Sequence, residues 1–266
     1  MGKGKHFKEE EKNYKKIIRI ILIILLIISS IYIGIFIWNS NKEQKETDEL
    51  LDGISVDSNK ITATPEIQSQ KTEKMLKVEK LKEEYPDVVA WIEIEGTNIN
   101  YPVMQGRDNE FYMNHDYKKE ESIRGSIFLD KDYDWSIPYT NLLIYGHNNS
   151  KDGTMFADLL KYKDKNFYKE HPTIKFTTPN EDAEYEIISV FLSRVYYKTE
   201  QNVFRYYYFL NAENEDQFDQ YILNSKIASL YYTGKSAEYG DKLITLSTCE
   251  YSQEDGRLVV VARKKQ

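Results

Sequence analysis

YGDKLITLSTC at 239–249, then the charged loop EYSQEDG at 250–256, then RLVVVA at 257–262, is the stretch whose reading decides the fold. Two short runs rich in β-branched residues, separated by a polar loop, read as strands at 242–246 and 258–262 joined as a hairpin. The first run delivers Cys249 at its C-terminal end, where the charged loop begins. A thiol at a strand end beside a polar loop is accessible, which is where reactive cysteines sit. A hairpin of this spacing also returns Arg257, eight residues on, to the side of the thiol.

Working outward, the same short apolar runs bounded by turn residues recur at 88–94, 99–103, 126–129, 141–145, 173–177 and 184–192. Eight short strands imply a mainly β domain, an antiparallel barrel or a sandwich. Helical stretches are interspersed. Residues 71–85 place Met75, Val78 and Leu81 at three-residue intervals and are stopped by Pro86. Residues 111–116 and 155–162 also read as helices, and 216–231 carries Phe218, Tyr221, Ile222, Ser225 and Ala228 along one face. There is no internal repeat and no heptad run.

Residues 20–38 are nineteen consecutive residues without a charge, the length needed to cross a hydrocarbon core of roughly 30 Å as a helix. Seven basic residues from Lys3 to Arg19 precede them, so the N-terminus is expected in the cytoplasm and the rest outside, on a single-pass signal anchor in the cell membrane. The expected domains are a basic cytoplasmic tail at 1–19, the span at 20–38, a polar extracellular stalk at 39–71 and a catalytic domain at 72–266. A net charge of −7 excludes the basic face expected of a nucleic-acid binder. With Cys249 as the one cysteine, no intramolecular disulfide forms.

A cysteine nucleophile needs a proton-transfer partner, most often histidine. Of the four histidines, His6 lies on the cytoplasmic side, and His115 and His171 sit beside acids in polar segments and read as solvated surface residues. His147 directly follows the apolar strand NLLIYG, whose glycine is expected to turn the chain and expose the imidazole at a rigid strand end. Arg257 supplies a fixed charge for a thiolate and for a tetrahedral oxyanion. Arg263, at the far end of its strand, is the weaker candidate. Asp130, Asp132 and Asp134 alternate, but without the glycine and distal glutamate of an EF-hand loop they read as a solvated acidic turn. No metal site, phosphate loop or cofactor is expected.

TLSTC with an arginine eight residues on, YGHN on an earlier strand and an N-terminal anchor together resemble a sortase, most closely the class B branch. NINYPVMQ at 98–105, RGSIFLD at 124–130 and DGTMFA at 152–157 support the resemblance, which covers about 72–266. It implies an eight-stranded sortase-type β-barrel with N-terminal helices and a long helix before the cysteine strand. It implies a cysteine transpeptidase that cleaves the C-terminal sorting signal of secreted proteins after a threonine, through a thioacyl-enzyme, and joins them to a peptidoglycan precursor amine. The catalytic residues map onto Cys249, His147 and Arg257, and the groove for the sorting peptide onto Asn109, Met113, Tyr145, Thr199, Val203, Phe204, Ser247 and Glu250. The class B branch implies signals of NPQTN-like or SPKTG-like type. Two positions depart from the pattern: Asn149 stands where methionine is frequent, and Tyr251, two past the cysteine, replaces an acid. Two other readings stand beside this one. The 22 tyrosines, with YY at 196–197 and YYYF at 206–209, suit a surface module that binds a peptide or wall ligand, Cys249 being incidental. A cysteine protease releasing its product to water is the other.

Overall fold

The computed structural model describes residues 3–55, 71–137 and 139–265. The chain divides into two units, 1–49 and 50–266. The first is formed by the helix α1 (Lys3–Leu50), whose last residue, Leu50, belongs to the second unit; the stretch from Tyr14 onward is long and apolar enough to cross a membrane. Its isoleucines and leucines between Ile20 and Trp38 are exposed. The helix runs on past Trp38 to its end at Leu50, so the first part of the expected stalk is helical. Residues 56–70, the last part of that stretch, lie outside the described residues.

In the second unit α2 (Glu73–Glu84) begins at Thr72, whose hydroxyl accepts from the Met75 amide at 3.2 Å and so satisfies a helix-terminal donor. Met75, Val78 and Leu81 are its buried stripe, as the spacing predicts. Val78 and Leu81 pack on Val88, Trp91, Met104, Tyr112 and Phe128, with Leu50, Leu51 and Ile54 against the same cluster.

Ten strands follow: β1 (Val88–Glu93), β2 (Asn100–Met104), β3 (Ile127–Leu129), β4 (Asn141–Tyr145), β5 (Asn148–Asn149), β6 (Thr154–Met155), β7 (Thr173–Thr177), β8 (Asp182–Arg194), β9 (Leu243–Cys249) and β10 (Gly256–Lys264). Eight close into a barrel in the order β1-β2-β3-β4-β9-β10-β8-β7, and β5 pairs with β6 as a separate small hairpin. Successive side chains of a strand point to opposite faces. On β10, Leu258, Val260 and Ala262 enter the barrel interior while Val259 and Val261 join an outer cluster. That outer cluster lies under Phe218, Tyr221 and Ile222 of α4 (Glu215–Ala228). Because both faces are covered, LVVVA at 258–262 is apolar throughout rather than alternating. A short helix α3 (Lys165–Glu170) precedes β7.

The barrel is not wholly antiparallel. β2 pairs β3 and β4 pairs β9 in parallel, which a strand's own residues do not encode. Residues 111–116 form only a 3-10 turn, Phe111–Met113, before His115 bridges Glu121. The expected helix at 155–162 is the end of β6 followed by a 3-10 helix, Ala157–Lys163. Helix α4 stops at Ala228 rather than Tyr231 because Ser229 bridges Phe191 and the Leu230 amide donates to Val190 O at 2.8 Å, drawing the chain onto β8. Asp130 is not a solvated turn residue: it is buried, and it accepts from the Asp132 amide at 3.0 Å. Nor are the two set-aside histidines fully solvated. The His115 ring stacks on Phe111 with centroids 3.9 Å apart, and the His171 ring lies against Gly96, where a Cβ would fall 2.1 Å from it.

Candidate active site

The three leading residues come from three places on the barrel and meet at one end of it. In β9, Leu243, Thr245, Ser247 and Cys249 share one face by the period of two, opposite the interior Ile244 and Leu246. Antiparallel pairing sets Arg257 directly across from Cys249, and parallel pairing sets Tyr145 across from Ser247. Directly paired residues point to the same face, so the thiol, the guanidinium and Tyr145 share a surface. His147 follows β4 by two residues, where the Gly146 amide still donates to Ser247 O at 3.2 Å. Gly146 is not the flexible turn expected from the sequence. A Cβ there would lie 2.8 Å from the Phe156 ring, so glycine is required by close packing.

Cys249, His147 and Arg257 line one cavity of about 250 Å³. Asn109, Met113, Tyr145 and Ser247 complete its wall together with Phe128, Val195, Tyr206, Tyr207, Gly146 and Thr248. The remaining positions implied by the resemblance lie elsewhere. Thr199 is exposed and Val203 half-buried on the irregular stretch after β8. Phe204 packs into the outer core between Phe191 and Tyr221. Glu250 is buried outside the cavity wall, where it pairs with Lys163 at 2.5 Å.

Polar contacts hold the wall. The Tyr206 hydroxyl meets Ser247 Oγ at 2.7 Å, and Tyr145 OH and Asn109 Nδ2 both donate to Asp130 Oδ2, at 3.1 and 2.9 Å. The buried Asn148 donates through Nδ2 to Cys249 O at 2.9 Å, tying the histidine-bearing chain to the cysteine strand. Burial pushes the Tyr206 hydroxyl up to about 12, against the opposing pull of Ser247 and Arg257. Burial first, then the nearby Asp130 charge, pushes Tyr145 up as well. Both phenols therefore stay protonated at neutral pH.

His147 Nε2 lies 2.5 Å from Met113 O. Arg257 Nη1 donates to Gly256 O at 2.9 Å and Asp255 O at 3.2 Å, which steadies the guanidinium while its other N–H groups stay available to a ligand. Among the described residues no hydrogen bond joins Cys249 to His147, an arrangement common in unliganded sites that tighten around substrate. None of the described His, Cys, Asp and Glu residues form a cluster able to hold a metal ion. A thiol, an imidazole and a fixed cation around one cavity are the groups that acyl transfer through a cysteine needs. Val195, Tyr206 and Tyr207 were missed as wall residues. The YYYF run at 206–209 was the available signal.

Residues 92–265 match the family model described as "Sortase domain". The chain is 33% identical over 243 residues to sortase B of Listeria monocytogenes, covering 88% of this chain and 93% of that one. Its fold is similar to that of a Staphylococcus aureus sortase B–substrate complex, with a TM-score of 0.69 at 27% identity over 86% of this chain and 99% of that one. Clostridium perfringens sortase B aligns with a TM-score of 0.63 at 32% identity, over 71% of this chain and 99% of that one.

Proposed function

The chain belongs to the sortase family, as a class B cysteine transpeptidase, and from that premise we propose that Cys249 is the nucleophile, His147 the proton-transfer group and Arg257 the oxyanion partner. The observation that carries the assignment is the direct pairing of Arg257 with Cys249 in a cavity that His147 also lines. The substrate is a sorting-signal peptide on a secreted protein. Its scissile carbonyl, after a threonine, is attacked by the Cys249 thiolate. The C–S bond forms first and gives a tetrahedral oxyanion; its collapse breaks the C–N bond as His147 gives its proton to the departing amine. An amine of a peptidoglycan precursor then attacks the thioester, loses a proton to His147, and expels the thiolate. In both halves negative charge gathers on the carbonyl oxygen, and Arg257 is the fixed charge facing it.

Asn109, Met113, Tyr145 and Ser247 form the peptide wall in this reading, with Thr199 and Val203 on the adjoining stretch. Glu250, turned away into its pair with Lys163, braces the loop instead of touching the peptide. The apolar helix anchors the enzyme in the cell membrane with the barrel outside, where exported proteins and wall precursors meet. A fluorogenic NPQTN-type peptide tests the assignment: Cys249→Ala and His147→Ala should each abolish cleavage, and retained turnover in either removes that residue from the chemistry. Added amine should divert the acyl group into a ligated product. Hydrolysis indifferent to amine would instead identify a protease.

A further inference from the structure

We propose that the backbone carbonyl of Met113, kept in place by Gly125, orients His147 and selects Nδ1 as the nitrogen that exchanges the proton. This rests on the reading of His147 as the proton-transfer group. A carbonyl oxygen only accepts, so its 2.5 Å contact with Nε2 means that Nε2 carries hydrogen. In the neutral ring Nδ1 is then the bare nitrogen, and in the charged ring Nδ1–H is the proton not already committed. Orientation by a hydrogen bond to the far nitrogen is usually the work of a carboxylate or a carbonyl. Tyr251, two past the cysteine, is 73% exposed and offers no acid there.

The carbonyls on either side each accept a hydrogen bond from elsewhere in the same frame, and Met113 O takes the imidazole. Phe111 O accepts from the Asn114 amide at 3.3 Å and from the His115 ring at 2.8 Å. Tyr112 O accepts from the Ser126 amide at 2.8 Å, Asn114 O from the Ser122 amide at 2.9 Å, and His115 O from Ser126 Oγ at 2.8 Å. Ser126 leads straight into β3, which pairs with β4, the strand that ends two residues before His147. The donor and acceptor thus stand on one hydrogen-bonded frame. Gly125 is the independent sign. Its φ of +59° already favours glycine, and a Cβ there would lie 2.5 Å from Met113 O itself. A side chain at 125 would press on the very oxygen that holds the ring. Met113 is therefore a positioning residue through its main chain, as well as part of the cavity wall.

The test is the tautomer of His147 in the full chain in detergent, labelled with ¹⁵N-histidine, read from long-range ¹H–¹⁵N correlations and assigned by loss of the signal in His147→Asn. The neutral ring should carry its hydrogen on Nε2. In Gly125→Ala the two tautomers should mix and kcat should fall about tenfold or more, as misorientation of a reacting group does, with KM changed less than about twofold. Gly234→Ala is the control. It places alanine at an equally left-handed φ of +78°, with its nearest neighbour, Tyr232, at 3.9 Å, and should leave tautomer and kcat as they are. Hydrogen on Nδ1 in the native protein overturns the proposal, as does Gly125→Ala with unchanged tautomer and kcat. Should Gly125→Ala not fold, the native tautomer decides alone. Since that readout needs no turnover, its failure is distinct from the finding that His147→Ala still cleaves peptide.

Discussion

Arg257 and Tyr206 touch the same cavity and do different work. Arg257 is a rigid fork whose Nη1 is already held by the Asp255 and Gly256 carbonyls, so the guanidinium is held in place before a ligand arrives. Arg257→Ala should lower kcat/KM by about 10²–10³-fold, the scale of losing one oxyanion donor. Arg257→Lys should recover only part of this, because a point charge on a flexible stem cannot hold two carbonyls and a substrate oxygen together. Peptide kinetics on the two variants check the point, and a fully active lysine variant would reduce the role to charge alone. Tyr206→Phe removes the partner of the buried Ser247 hydroxyl and should cost about 1 kcal/mol of stability, read by chemical denaturation. With its own ionisation pushed up to about 12, the Tyr206 phenol contributes no titrating step. The pH profile of the phenylalanine variant between 6 and 9 should therefore overlay the native one.

At the scale of elements, the loop between β9 and β10 is fastened to the 3-10 helix Ala157–Lys163 through Glu250. Burial works against ionisation of this carboxyl, but hydrogen bonds from Lys163 and from the hydroxyl and amide of Ser252 outweigh it and hold it below the usual range. A carboxylate depressed in the folded state stabilises above its unfolded value of about 4.3, and that contribution is lost as pH falls through the folded value. Glu250→Gln should thus melt earlier than the native protein at pH 7, and the gap should narrow progressively as pH falls below about 4.3. A gap that stays constant as the pH is lowered would contradict the latch. This residue also shows what sequence makes legible. Glu250 follows the last residue of β9, and its buried pair with Lys163 depends on a residue 87 positions away, which the local sequence does not encode. β9 and β10 were readable because long β-branched runs flank a charged loop, and their pairing brought Arg257 beside Cys249. The β5–β6 hairpin was not readable, since two residues per strand carry no period. The parallel pairings were hidden because orientation depends on distant connections. Tyr206 stands in a 3-10 turn, Tyr206–Tyr208, that the YYYF run marks, whereas Val195 as part of the wall is not legible because it lies on the irregular chain just past β8. There, local contacts such as Arg194 over the Tyr196 ring, 4.7 Å from its centroid, fix the path.

For the whole molecule, Leu50, Leu51 and Ile54 pack on the cluster beneath α2, so the folding unit reaches further toward the N-terminus than the domain expected from residue 72. A fragment beginning at Leu50 should melt cooperatively and retain peptide cleavage. One beginning at Lys71 should keep cleavage but melt several degrees lower, since about 1 kcal/mol of lost packing moves Tm by roughly 2–4 °C in a domain of this size. Equal melting temperatures would mean that those three side chains add nothing. The barrel brings thiol, imidazole and guanidinium to one cavity, and the proposed chemistry requires a covalent thioacyl intermediate on Cys249. Intact mass spectrometry of the protein mixed with a sorting-signal peptide reads that intermediate. The mass should increase by the peptide's N-terminal fragment through threonine, carried on Cys249, absent in Cys249→Ala and discharged by an added amine into a ligated product. Peptide cleavage with no adduct at Cys249, or continuing in Cys249→Ala, would overturn the assignment.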